Sequence, residues 1–153
     1  MSGAITVLID DPSWRKPRGL SARLRQAAEA ALRASGFKGK SGLTVLLASD
    51  ARLKELNRDF RGKNKPTNVL SFPAAQNTDG YRGDVALAYG VTFQEAQAAG
   101  KRFADHASHL VVHGVLHLAG YDHEKDRDAQ VMEPLEVKIL KRLGIADPYK
   151  VSA

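Results

Sequence analysis

Three histidines in one short segment carry the clearest chemical signal in this chain. They lie in the run His113-Gly-Val-Leu-His117-Leu-Ala-Gly120-Tyr-Asp-His123, a spacing of H-x3-H-x5-H. On an α-helix, residues four apart stand one above the other on a single face. His113 and His117 can therefore each give a nitrogen to one metal ion. Gly120 can adopt the left-handed conformation that ends a helix, and the short return then presents His123 as a third ligand. Three imidazoles and an open coordination position are the donor set of a catalytic zinc, which activates water near neutral pH. Nickel or copper would also suit imidazole donors. The competing explanation is a helix carrying buried, hydrogen-bonded histidines. The agreement of motif and helix-end signal favours the metal.

The same spacing occurs in the metzincin proteases, H-E-x-x-H-x-x-G-x-x-H. There the glutamate after the first histidine is the general base. Here that position is Gly114, which can accept no proton. The metal-binding spacing is kept and the proteolytic base is missing, so peptide hydrolysis is disfavoured.

The elements that must position these residues can be read from the rest of the chain. Its 153 residues, 43% hydrophobic and 26% charged, fit one soluble domain with a substantial core, spanning 1–153. Cysteine is absent, which excludes disulfides and thiolate ligands and permits a cytoplasmic location. No apolar run is long enough to cross a membrane, and the first residues lack the pattern of a signal peptide. The formal net charge of +6 favours a polyanionic partner, most obviously nucleic acid.

Alternation and turn residues predict strands over 5–10, 43–48, 67–72 and 84–89. A helix is predicted over 20–35, with Leu20, Leu24, Ala27, Ala28, Ala31 and Leu32 on its apolar stripe. Ser49 or Asp50 can cap a second helix, running to about Phe60. Residues 62–66 form a basic loop, and 74–82 a polar one. Thr92 and Glu95 have the spacing of a capping box opening a helix. A further helix, from about Ala104 to Leu118, carries the first two histidines. The last covers about 126–143, with Pro134 expected to kink it or mark a boundary, and the tail from about 147 is expected to fray. The sum is an α+β fold: about four strands in a mixed sheet, packed with four or five helices.

Over about residues 5–145 the chain resembles the YbeY family, bacterial single-strand-specific endoribonucleases that act in ribosomal RNA maturation. The likeness is carried by Leu56-Asn57, by Phe60-Arg61-Gly-Lys63-Asn-Lys65-Pro66-Thr67-Asn68-Val-Leu-Ser71-Phe72-Pro73, by Gly83-Asp84-Val85, and by His109 with the histidine run. Asn64 stands where the family often has aspartate. The resemblance implies a zinc-dependent, cytoplasmic endoribonuclease with a zincin-like helix. Its partners would be single-stranded ribosomal RNA, the small ribosomal subunit and its assembly factors.

Arg61 is the leading candidate for an active-site cation. Phosphodiester cleavage builds negative charge on nonbridging oxygens, which a guanidinium meets with two donors. The catalytic set is thus Arg61, His113 and His117, with Lys63 and Lys65 beside Arg61 as phosphate binders. His109 cannot share an ion with His117, eight residues away along a helix. It is expected to be a buried or supporting hydrogen-bonding histidine, and His106 an exposed bystander. Asp84 is expected to serve a turn, Met132 the core, and Phe60, Phe72 and Tyr121 the core rather than base stacking. Asp122 is equally suited to orienting a histidine or to forming a turn. Two routes to the nucleophile stay open: water activated by the metal alone, or the RNA 2′-hydroxyl. Two other functions compete, a metzincin-like peptidase, opposed by Gly114, and a non-catalytic ribosome-assembly factor with a structural metal, which would need a fourth protein ligand.

Overall fold

A computed structural model of the chain describes residues 4–37, 39–64, 67–121 and 126–149, excluding the side chains of 126–130. Four strands, β1 (Ile5–Ile9), β2 (Gly42–Ala48), β3 (Val69–Pro73) and β4 (Tyr81–Ala88), form one sheet in the order β1-β2-β4-β3. β1, β2 and β4 are parallel, and β3 runs antiparallel to β4 as an edge. Among the described residues, five α-helices accompany them: α1 (Leu20–Ala34), α2 (Asp50–Arg61), α3 (Tyr89–Ala98), α4 (Phe103–Leu118) and α5 (Asp126–Arg142). The α+β class and the mixed sheet are as the sequence predicts.

Side-chain alternation divides the sheet into two faces. Val45, Leu47, Val85 and Leu87 point into the main core with α1, α4 and α5. Ala48, Leu70, Ala86 and Ala88 point the other way, where Leu53 and Leu56 of α2 cover them. The histidine helix α4 lies on the first face. Met132 is fully buried there, as expected of a core residue.

Several local expectations give way to tertiary contacts. Thr92 does not cap a helix, because α3 already begins at Tyr89 and Thr92 is fully buried inside it. Glu95 instead accepts hydrogen bonds from Asn68 and His106. The start of α3 is served from a distance: the Asp50 carboxylate accepts from the Val91 N–H at 3.0 Å. Ser49 is then the residue that caps α2, accepting from Arg52 N–H at 3.1 Å. β4 starts at Tyr81, so Asp84 sits within a strand, opposite Phe72 and Thr44, and not at a turn. Helix α5 continues through Pro134 rather than stopping there. The stretch expected to fray is anchored as far as Tyr149, since Lys101 Nζ donates to Pro148 O at 2.9 Å and the Tyr149 hydroxyl donates to Glu136.

Helix α4 meets the sheet at Gly114. A Cβ built there would lie 2.5 Å from Val85 Cγ1 and 3.2 Å from Ser71 Oγ. The Ser71 hydroxyl donates to the Gly114 carbonyl at 2.8 Å. The residue after the first histidine is therefore glycine because strands β3 and β4 occupy the space of a side chain. Gly114→Ala should lower stability by about 1–2 kcal/mol: overpacking against the fully buried Val85 outweighs the gain in helix propensity. Chemical denaturation of the two proteins measures the difference, and an alanine variant as stable as wild type contradicts the packing argument.

Candidate metal centre

The histidine helix places His106, His109, His113 and His117 along one side. The His113 and His117 rings have centroids 4.9 Å apart, as the four-residue spacing requires. Both residues are half-buried. Beyond them the helix ends as the glycine signal predicts. Gly120 has φ 97°, its N–H bonds to the His117 carbonyl at 3.0 Å, and Tyr121 N–H bonds to the Leu116 carbonyl at 3.2 Å. This paired closure is the Schellman arrangement. Tyr121 then packs against the main core. His123 and Asp122 lie outside the described residues, as does Lys65.

One residue that the sequence reading did not single out organises the cluster. Glu136 of α5 is fully buried. Its Oε2 accepts from His109 Nε2 at 2.6 Å, and its Oε1 pairs with His113 Nδ1 at 3.2 Å. The Tyr149 hydroxyl donates to Oε2 at 3.0 Å. Burial pushes this carboxyl's pKa up, but the hydrogen bonds and charges of His109 and His113 more than offset it and bring it to about 2. Tyr149 is pushed far above the usual phenol range, first by burial and then by the Glu136 charge. The signal for Glu136 was present in the sequence. It is an acidic residue on the same helical stripe as Met132 and Leu140, both fully buried, and a charge on a buried stripe demands a partner.

The donors present suit a metal in two ways. His109, His113 and Glu136 each bring a ligand atom within 4.8 Å of the others, a set that could hold an ion. Alternatively, Glu136 engages Nδ1 of His113 as an orienting carboxylate, with His117 one helical turn away. A metal-bound histidine commonly has such a carboxylate on its other nitrogen. His109 behaves as expected of a supporting histidine, hydrogen-bonded to the same carboxylate. His106 does not match its expected exposure: its side chain is 12% exposed and pairs with Glu95 Oε1 at 2.9 Å.

Arg61 ends α2 and is exposed, as is Lys63 in the following loop. Arg61 borders a cleft of about 770 Å³ on the second face of the sheet. Ser71 also lines this cleft and bonds to Gly114, next to His113. Strand β3 is thus the element shared by the cleft and the histidine helix. Phe60, expected in the core, is 69% exposed at the cleft: it shares the helical stripe of Leu53 and Leu56 but stands in the last turn of α2, over the open cleft. Phe72 and Tyr121 are half-buried.

The family model for Endoribonuclease YbeY matches residues 10–144. Proteins named Endoribonuclease YbeY are similar over nearly the whole chain. That of Maricaulis maris is 41% identical over 95% of this chain and 91% of its own length. That of Azorhizobium caulinodans is 46% identical over 97% and 98%. The solution structure of TM1509 from Thermotoga maritima superposes with a TM-score of 0.64 at 28% identity, covering 95% of this chain and 99% of that one. The chain belongs to the endoribonuclease YbeY family, a family of RNA-cleaving hydrolases.

Glu136→Gln should weaken metal binding about 10- to 100-fold, read by competition with a chelator. In metal-free protein the same carboxylate gives a pH signature. Its pKa is lowered in the fold, so its contribution to stability is complete above pH 4.5, the ordinary value, and is lost as pH falls towards 2. Urea midpoints of wild type and Glu136→Gln should therefore converge across that window. A gap independent of pH would show that this ionisation is not linked to folding.

Proposed function

We propose that this protein is a zinc-dependent, single-strand-specific endoribonuclease of ribosomal RNA processing, working in the cytoplasm on small-subunit RNA alongside ribosome-assembly factors. The observation that carries the metal assignment is the pairing of His113 with Glu136. It orients the His113 ring one helical turn from His117, and His113, His117 and His123 are the ligands of this reading. Imidazole donors backed by a carboxylate suit zinc. Zinc there would supply Lewis-acid activation at the scissile phosphodiester.

The protein's own residues do the rest. His113 and His117 are held in register by the helix, so little reorganisation is needed when the site is filled. Arg61 meets the charge that builds on the nonbridging oxygens, and Lys63 and Lys65 add phosphate affinity. The net charge of +6 supports a polyanionic substrate. The close approach at Gly114 excludes a proteolytic glutamate, which supports RNA over peptide as the substrate. Family membership supports the ribosomal setting.

Cleavage of single-stranded RNA by metal-loaded, chelated and His117→Ala protein tests the reading. Activity should require the metal and vanish in His117→Ala, and chelator-resistant cleavage would refute metal dependence. Elemental analysis should find about one divalent ion per chain, lost in His113→Ala. Arg61→Ala should keep its metal but lose roughly 3 kcal/mol of transition-state stabilisation, on the order of a hundredfold in single-turnover rate. Arg61→Lys should recover only part, because an ammonium lacks the two-donor fork. A wild-type rate in Arg61→Ala would make this arginine a solvated loop residue.

A further inference from the structure

The cleft beside Arg61 has a composition that the cleavage chemistry does not explain. Its floor is a sheet surface that α2 leaves partly uncovered. Two rows of paired residues cross it: Leu8, Leu46 and Ala86 in one, and Thr44, Asp84 and Phe72 in the other. Leu8 is 51% exposed, so the floor is an open apolar shelf. Phe60 stands at its edge, its ring edge-on to Phe72 with centroids 5.3 Å apart. Arg52 and Arg61 supply positive charge at the α2 side. At the far end a polar group is built into the strands. The Tyr81 hydroxyl donates to Asp84 Oδ1 and lies 2.7 Å from Thr44 Oγ1. This fixes the Asp84 carboxylate in place and leaves Oδ2 without a hydrogen-bond partner among the described residues.

We propose that this cleft is a nucleobase-binding subsite for single-stranded RNA, with Phe60 as the stacking surface and Asp84 as the acceptor that selects bases carrying an exocyclic amino group. The proposal rests on the endoribonuclease reading and adds a base preference to it. An unpaired base offers one flat apolar face and one edge of donors and acceptors. Single-strand readers hold such bases on aromatic rings and hydrogen-bond the exposed edge. A carboxylate can only accept. It therefore favours the amino groups of cytosine, adenine or guanine and disfavours uracil, whose O4 would face it. The cleft volume of about 770 Å³ is in the range of small-molecule sites. The arginines on the α2 side suit the attached phosphates. Ser71 joins the cleft to the backbone beside His113, so RNA leaving the subsite across β3 reaches the histidine helix.

The test uses the metal-loaded protein and short fluorescent RNA oligomers with 2′-O-methyl riboses, verified as intact after each titration. Wild type should bind oligocytidine about tenfold more tightly than oligouridine, the value of a hydrogen bond to a charged acceptor. Phe60→Ala should weaken both about tenfold, as loss of one stacking surface does. Asp84→Asn should remove the preference for cytidine, because the amide can donate to uracil O4. Phe60 and Asp84 are both exposed, so neither substitution disturbs the core. If both variants bind like wild type with the same base ranking, the subsite is refuted while RNA binding stands, and the cleft becomes a surface for a protein ligand. If wild type neither binds nor cleaves single-stranded RNA, the functional reading falls and the subsite falls with it.

Discussion

The contact between helix α4 and the sheet at Gly114 is the constraint on which the site depends. Only a residue without a side chain lets the helix backbone come this close to Val85 and Ser71. The hydrogen bond from Ser71 to the Gly114 carbonyl then locks the helix to the edge strand. With the height of α4 over the sheet fixed, the side on which His109, His113 and His117 project is fixed as well. A single glycine thus serves the packing and leaves no side chain directly after His113.

The second requirement is electrostatic. A carboxylate with no exposure to water is costly unless its lone pairs are filled. Glu136 meets this with His109, His113 and Tyr149, drawn from α4 and from the C-terminal stretch. Removing any one of these leaves the others with an uncompensated buried charge, so the cluster behaves as a unit. His106 and Glu95 form a similar but more exposed pair one turn earlier, tied to Asn68 ahead of β3. The histidines of α4 are therefore held from two sides, by α5 and by α3.

Much of this was legible in the sequence because the relevant signals are local. The four-residue histidine spacing, the helix stop at Gly120 and the alternation of β2 depend on neighbours in the chain, and each appears where local rules put it. The readings that failed depend on distant partners. Thr92 and Glu95 have the spacing of a capping box, yet Asn68 and His106 claim the glutamate, and Asp50 from another helix serves the α3 terminus. Asp84 after a glycine suggests a turn, but pairing with β2 and β3 extends the strand past it. Phe60 has the apolar character and the helical spacing of a core residue, and only its place at the end of α2, over the cleft, leaves it exposed. Glu136 was readable in principle, since its helical stripe is otherwise apolar, but its partners lie 23 and 27 residues away and no periodicity names them.

The anchoring of Tyr149 to Glu136 has a consequence for how the centre comes into being. Domains generally fold as units, yet the groups of this cluster enter the chain in a fixed order. The sheet and the histidine helix are complete in the chain before α5 exists, and α5 before Tyr149. The carboxylate that sets the orientation of His113 is thus delivered late, and the hydroxyl that completes its shell comes later still. Until both have been added, His109 and His113 lack these partners. The orientation of His113 thus depends on residues that lie well downstream of it in the chain.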